Sequence, residues 1–415
     1  MYDLVSLGKN AKQAAHQLIT LDTAAKNAGL LALAAKLREN KAAILEANRL
    51  DIANAQAVGV RTVMIDRLTL SHERIEGMAA AAEQVAALPD PVGAIDAGFT
   101  CPNGLRIIKT HVPIGVIAMI YEARPNVTVD AAVICLKSGN ACILRGGKEA
   151  YATNRVLVTL MREAIQTAGI PADAISFVED TSRDTAQRLM RLDGYVDLLI
   201  PRGSAELIQS VVRHASVPTI ETGAGNCHIY VDSAADLDMA VSIVNNSKTQ
   251  RPSVCNSLET VLVHHDVAAK FLPMMKTVLD SYNTELRGCP ETRAILKNIK
   301  PANESDWETE YNDYILAVKI VDGVDEAMAH IAQYGTGHSD GIVTDSVLTS
   351  QRFVSGVDSA AVYVNASTRF TDGGEFGLGA EIGISTQKLH ARGPMGLREL
   401  TAIKYIVTGD GQIRA

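Results

Sequence analysis

From residue 115 onward the chain repeats one pattern: a short apolar run, a polar turn, a helix-forming stretch, then another apolar run. The runs are 115–120, 141–144, 175–178, 196–200 and 217–220, separated by helical stretches at 128–137, 148–168, 182–192 and 204–214. Strands at this spacing joined by helices are βαβ units, and their sheets are parallel. Runs that are apolar throughout, rather than alternating, suit strands covered on both faces. A second series opens with a strand at 228–231 and a helix at 237–248. It continues through a strand at 260–263, a helix at 267–282, a strand at 316–321, a helix at 324–334 and strands at 341–344 and 361–364. The pattern predicts an α/β protein with two doubly wound parallel-sheet domains in tandem. The switch falls at 222–227, Thr-Gly-Ala-Gly-Asn-Cys.

The flanks read differently. Residues 12–87 are rich in Ala, Leu, Lys, Glu and Gln, contain no proline, and place Leu30, Leu33, Ala34 and Leu37 on one helical face. Asn103-Gly104 within 99–111 marks a hairpin turn, which suits an arm that meets another subunit or a plain surface ribbon. A last strand is expected at 400–407. Between 373 and 383 lie five glycines, either flexible filler or backbone that closely approaches a ligand. Placement between ordered segments favours the second.

Bulk properties exclude several classes of function. A net charge of -8 leaves no basic stripe for nucleic acid. No stretch has the ~20 apolar residues of a membrane span, and Met1 to Thr20 carry Asp3, Lys9, Lys12 and His16 rather than an export signal. No nucleic-acid or membrane partner and a cytoplasmic location are the expectation. The six cysteines form no C-x-x-C pair, and Cys227-His228 and His264-His265 are poorly spaced for one metal, so none is expected.

Few positions carry chemistry in themselves. No G-x-G-x-x-G follows any strand. Arg145-Gly-Gly-Lys148 closes a strand at its carboxyl end, where α/β folds bind ligands, and reads as a phosphate-binding turn or a solvated one. Gly203-Ser204 opens a helix whose amides could receive a phosphate, or whose serine is only a cap. Cys255, in Gln250-Arg-Pro-Ser-Val-Cys-Asn-Ser, has a polar setting four residues from Arg251 that favours a thiolate; a buried structural thiol is the alternative. Glu221, before a glycine loop, is a candidate acid/base or a surface carboxylate.

Taken in order, Arg145, Gly203-Ser204, a Glu221-x-Gly-x-Gly loop and Cys255, with 34 residues between the last two (255 − 221), resemble the aldehyde dehydrogenase superfamily. Tyr121-Glu-Ala-Arg-Pro-Asn-Val-Thr, Leu144-Arg-Gly-Gly-Lys-Glu, Glu221-Thr-Gly-Ala-Gly-Asn-Cys-His, Ser253-Val-Cys-Asn-Ser-Leu-Glu-Thr and His390-Ala-Arg-Gly-Pro-Met-Gly-Leu narrow it to the branch that reduces glutamyl phosphate. The resemblance implies an aldehyde dehydrogenase-like fold. Residues 1–98 and 113–226 would bind cofactor, 227–390 would form the catalytic domain, and the hairpin 99–112 with 391–415 an oligomerisation arm. It implies NADPH-dependent reduction of L-glutamyl 5-phosphate to L-glutamate 5-semialdehyde in proline biosynthesis, through a thioester on Cys255. A homo-oligomer and transfer of substrate from a glutamate 5-kinase are further expectations. A hydrolytic NAD(P)-dependent aldehyde dehydrogenase is the alternative.

The resemblance also assigns roles. Glu221 would help deprotonate Cys255 or relay protons rather than activate water. Asn126 would donate to the oxyanion, since Glu122 stands where the superfamily's usual Asn is expected. Arg145, Lys148, Gly203, Ser204 and Glu310 would hold the cofactor, the two cations favouring a 2′-phosphate and hence NADP. Arg251 is the candidate for the substrate phosphate, with Ser385, Thr386 and Arg124, and further His390 and Arg392, as other substrate contacts.

Overall fold

A computed structural model of the chain describes residues 2–60 and 62–414. The chain forms two compact units. The first comprises residues 1–222, 377–383 and 395–415, and the second 223–376 and 384–394. The glycine-dense run is thus shared between the units rather than lying wholly in the second.

The first unit opens with helices α1 (Leu4–Leu18), α2 (Thr23–Glu39), α3 (Lys41–Ala57), α4 (Thr62–Leu68) and α5 (His72–Ala87). Their starts are written in the sequence: Asp3, Asp22 and Ser71 each accept an amide of the first turn. Strands β1 (Ile95–Thr100) and β2 (Arg106–Pro113) form the hairpin, with Gly104 at φ +86° in its turn. The parallel part alternates β3 (Val116–Tyr121), α6 (Pro125–Lys137), β4 (Ala141–Arg145), α7 (Tyr151–Thr167), β5 (Ile175–Phe177), α8 (Arg183–Leu189), β6 (Leu198–Arg202) and α9 (Ala205–His214). The sheet order is β5-β4-β3-β6, all parallel. Every residue of β3 is buried, as a central strand covered on both faces must be.

One expected strand is nearly absent. Residues 217–220 make a single bridge, Thr219 to Leu199. The Pro218 carbonyl accepts the Leu199 amide at 2.8 Å and the Ile220 amide donates to the Leu199 carbonyl at 3.1 Å, which makes that bridge; Pro218 has no amide to extend the ladder.

The second unit contains β7 (Cys227–Val231), α10 (Leu237–Thr249), β8 (Leu258–His264), α11 (His265–Asp280), β9 (Glu285–Gly288), α12 (Pro290–Ile295), β10 (Lys300–Pro301), α13 (Glu304–Trp307), β11 (Ile315–Val321), α14 (Val324–Tyr334), β12 (Ser339–Val343), α15 (Val347–Gly356) and β13 (Ala361–Val364). Its sheet is parallel, in the order β10-β9-β11-β8-β7-β12-β13. One face packs Ile229, Val261, Val263 and Val318 against Phe271, Leu272 and Met275 of α11. The other packs Tyr230, Leu262 and Ile342 against Ile331 and Phe353. Strands β9 and β10 were not expected. Glu-Leu-Arg-Gly has one large apolar side chain, and its charges are taken up by Arg287 pairing with Glu285 (2.8 Å) and Asp306 (2.6 Å).

Short strands β14 (Ile384–Ser385) and β15 (Gly393–Pro394) pair antiparallel in the second unit. Strand β16 (Thr401–Thr408) returns to the first unit and pairs antiparallel with β2 along its whole length, giving a three-stranded ribbon β1-β2-β16.

Candidate active site

In the first unit the strand order reverses beside β3, with β4 on one side and β6 on the other. The crevice at the carboxyl ends of such strands is where open α/β sheets take ligands. Glu122 follows β3 there, and Gly203 and Ser204 follow β6. Ser204 caps α9, its hydroxyl accepting the Leu207 amide at 3.4 Å. The amide and hydroxyl of Ser204 donate to the Glu122 carboxylate at 2.9 and 2.7 Å. A Cβ on residue 203 would come within 2.7 Å of that carboxyl group, so a side chain there would displace the Glu122 carboxylate. The helix terminus therefore already attracts an anion, supplied by the chain's own glutamate.

Arg145 ends β4. Its Nη2 donates to the Thr181 and Ser182 carbonyls at 2.5 and 3.2 Å, and its Nε is buried without a partner among the described residues. Burial pulls its pKa down, opposed by Glu149 and Asp180. Lys148 is exposed and opens a short 3-10 turn. A Cβ on residue 146 would lie 2.3 Å from the Asn154 amide nitrogen, which is why the turn between the two cations needs glycine. Arg124 sits at the cap position of α6. Asn126, exposed in the first turn of α6, donates Nδ2 to Asp130 at 3.0 Å. Burial pushes the Asp130 carboxyl up to about 6, against that hydrogen bond and the charge of Arg202. Glu221, partly exposed, precedes Thr222, whose hydroxyl donates to the Pro201 carbonyl at 2.8 Å.

In the second unit Cys255 lies in the turn between α10 and β8, partly exposed and not disulfide-bonded. Its main chain is held closely. A Cβ on residue 225 would fall 1.4 Å from the Cys255 carbonyl oxygen, so only glycine fits. The buried Cys227 thiol donates to the same oxygen at 3.3 Å, and burial pushes its pKa well up, keeping the proton in place. The Gly225 amide donates to Glu310 at 2.9 Å, while Asn226 donates to the Trp307 and Tyr334 carbonyls at 2.7 and 2.8 Å. Glu310 and Cys255 thus meet the same glycine.

Behind the turn, Lys248 of α10 and Glu259 of β8 form a pair at 2.6 Å with both side chains 0% exposed. Burial pushes the Glu259 carboxyl up to about 8 and pulls the Lys248 ammonium down, each opposed by its partner's charge. The other Glu259 oxygen accepts the Asn312 amide at 3.4 Å, two residues from Glu310.

Of the expected substrate contacts, Ser385 is buried and accepts the Gln387 amide at 3.3 Å. Thr386 packs on Gly223, where a Cβ would lie 2.4 Å from its methyl. His390 is exposed with φ +65°, and Arg392 is engaged by Asp358 at 3.0 Å. Arg251 is exposed in the Cys255 loop.

Sequence reasoning did not single out four participants. Glu122 was read only as a replacement, not as the partner of Ser204. Cys227 was one of several small apolar-run thiols. The Lys248–Glu259 pair is eleven residues apart across a turn, with no helical spacing to betray it.

The aldehyde dehydrogenase family model matches residues 3–293. Crystal structures of the same architecture include an acetylating aldehyde dehydrogenase from Geobacillus thermoglucosidasius, 18% identical, with a TM-score of 0.71 over 100% of this chain and 98% of that one. The chain belongs to the aldehyde dehydrogenase family and is an oxidoreductase. A gamma-glutamyl phosphate reductase from Caldanaerobacter subterraneus is 54% identical over 406 residues, 98% of each chain. The crystal structure of a gamma-glutamyl phosphate reductase from Thermotoga maritima superposes with a TM-score of 0.98 at 48% identity, covering 100% of both chains. Within the family, the chain groups with the gamma-glutamyl phosphate reductases.

Proposed function

We propose that the chain reduces L-glutamyl 5-phosphate to L-glutamate 5-semialdehyde and phosphate in proline biosynthesis, with Cys255 as covalent nucleophile and NADPH as reductant. The observation that carries this reading is a partly exposed thiol in a main chain fixed by Gly225, in a chain more than half identical to proteins named for this activity.

Glu221 takes the proton from the Cys255 thiol, and the thiolate attacks the acyl carbon. The C–S bond forms, the bond to the phosphate oxygen breaks, and its electron pair departs on phosphate. NADPH, when bound, would supply hydride to the thioester carbon. The resulting alkoxide collapses, C=O re-forms, and sulfur leaves as thiolate with the bonding pair. The Cys255 amide supplies one donor to the oxyanion. Asn126 supplies the second on releasing Asp130. Ser385, Thr386 and Arg124 contact the amino acid end of the substrate, and Arg251 its phosphate.

Gly203, Ser204 and Glu310 hold the dinucleotide. The Nε of Arg145, buried and without a partner among the described residues, and the exposed Lys148 supply charge for a 2′-phosphate, which favours NADP. No helix among the described residues is long and apolar enough to cross a membrane. The cytoplasm is the expected compartment on the reading of a biosynthetic reductase. The ribbon β1-β2-β16 exposes Phe99, Tyr405 and Val407, which supports a homo-oligomer built through this arm. A glutamate 5-kinase is the expected supplier of the labile substrate.

The test runs the reaction backwards. NADP reduction by glutamate semialdehyde is expected to require inorganic phosphate, and Cys255→Ala to abolish turnover while still binding NADPH. Turnover indifferent to phosphate would mean hydrolysis of the thioester, and sink the reading.

A further inference from the structure

Asn256, the buried residue after Cys255, reaches the turn at 367–371. Its side-chain amide donates to the carbonyls of Arg369 (3.2 Å) and Thr371 (2.9 Å), and the Thr368 hydroxyl donates back to the Asn256 carbonyl at 2.8 Å. The Arg369 Nε in turn donates to the Gln250 side chain at 2.8 Å, next to Arg251. Two guanidinium groups are therefore fastened to the loop that carries the thiol. Neither forms an ion pair with a carboxylate among the described residues. Asp372, the nearest acid to Arg369 in sequence, turns its carboxylate to the Gly374 and Glu375 amides at 2.9 and 3.4 Å. Burial and then the charge of Arg251 pull the Arg369 pKa down, against Asp372. A half-buried cation facing a second cation is an unfavourable arrangement unless an anion joins them.

We propose that Arg369 and Arg251 together clamp the phosphate of the acyl phosphate beside Cys255. The proposal rests on the acyl-phosphate reading above and adds Arg369 as a residue that touches substrate. A dianion suits two guanidinium groups, each able to bind it through two donors. The substrate's own bonding selects phosphate over the α-carboxylate. The phosphorus is two bonds from the carbon that sulfur attacks, and the α-carboxylate carbon is four. As the C–S bond forms and the C–O bond to phosphate breaks, the electron pair moves onto oxygens that the clamp already holds.

The experiment is steady-state kinetics in the oxidative direction with the full chain, varying inorganic phosphate at saturating semialdehyde and NADP. Arg369→Gln is expected to raise KM for phosphate roughly tenfold to hundredfold, while KM for semialdehyde and NADP stay within about twofold. Arg369→Lys is expected to recover part of the loss, which also covers a Gln variant that fails to fold. Phosphate protection of Cys255 from alkylation by iodoacetamide, followed on the Cys255 peptide by mass spectrometry, reads the same shift without turnover. An unchanged phosphate KM and protection curve overturns the clamp, and so does a rise confined to the semialdehyde KM, which would assign Arg369 to the α-carboxylate. Wild-type turnover indifferent to phosphate overturns the acyl-phosphate reading itself, and the clamp with it.

Discussion

A methyl group at residue 225 would overlap the Cys255 carbonyl oxygen at 1.4 Å and its carbon at 2.3 Å. Neither atom lies at the end of a flexible side chain, so Gly225→Ala must move the main chain of the nucleophile. A misplacement of about 1 Å can cost about a hundredfold in rate. Gly225→Ala is accordingly expected to lower kcat about a hundredfold, with NADPH affinity, measured by titration of the free enzyme, within about twofold of wild type. A kcat within threefold of the parent, about 0.6 kcal/mol, would refute the argument. Much at this scale could be read beforehand. The interval from Glu221 to Cys255, and glycines in the loop between, are local facts of the chain. The reason for each glycine is not local. Gly203 makes room for Glu122, Gly223 for Thr386 and Gly225 for Cys255, and in each case the neighbour comes from a distant part of the sequence. Arg369 escaped notice likewise, because Asn256 fixes it through a hydrogen bond spanning more than a hundred residues.

The link between α10 and β8 that carries Cys255 is braced at its base by Lys248 and Glu259. Removing one member of a buried pair leaves an uncompensated charge, at a cost of about 3–5 kcal/mol. Lys248→Met is expected to destabilise the protein by about that much in urea unfolding. The sign with pH follows from the carboxyl group. Burial already pushes Glu259 above its ordinary value, to about 8, and losing the ammonium pushes it further. A carboxyl raised in the folded state contributes stability that is fully present below its unfolded pKa and is lost as pH rises through the folded one. The variant should therefore be least impaired near pH 5 and most impaired near pH 9. Equal loss at both would place the effect in packing alone. Elements were legible where apolar runs were long and continuous, as in β3, β8 and β11. They were illegible where the pattern broke: β9 has charged residues, neutralised by partners elsewhere, and 217–220 has an apolar composition but a proline in its ladder.

The ribbon β1-β2-β16 belongs to neither parallel sheet. Its pairing aligns Phe99 with Ile107 and Ile107 with Val407 across all three strands, with Tyr405 and Ile403 following on the same face. Strands β1 and β16 lie at its edges, and Phe99, Tyr405 and Val407 are 55%, 60% and 54% exposed. A sheet so narrow is marginal by itself, and its open edges can pair with another chain. The double substitution Tyr405→Asp and Val407→Asp is expected to lower the mass measured by sedimentation to that of a single chain, with both units still folded. An unchanged mass would remove the ribbon from the interface. If the wild-type chain completes this sheet with a second copy, folding and association are one equilibrium. Its melting temperature should then climb with protein concentration, and dilution alone should soften a molecule whose every covalent bond is unchanged.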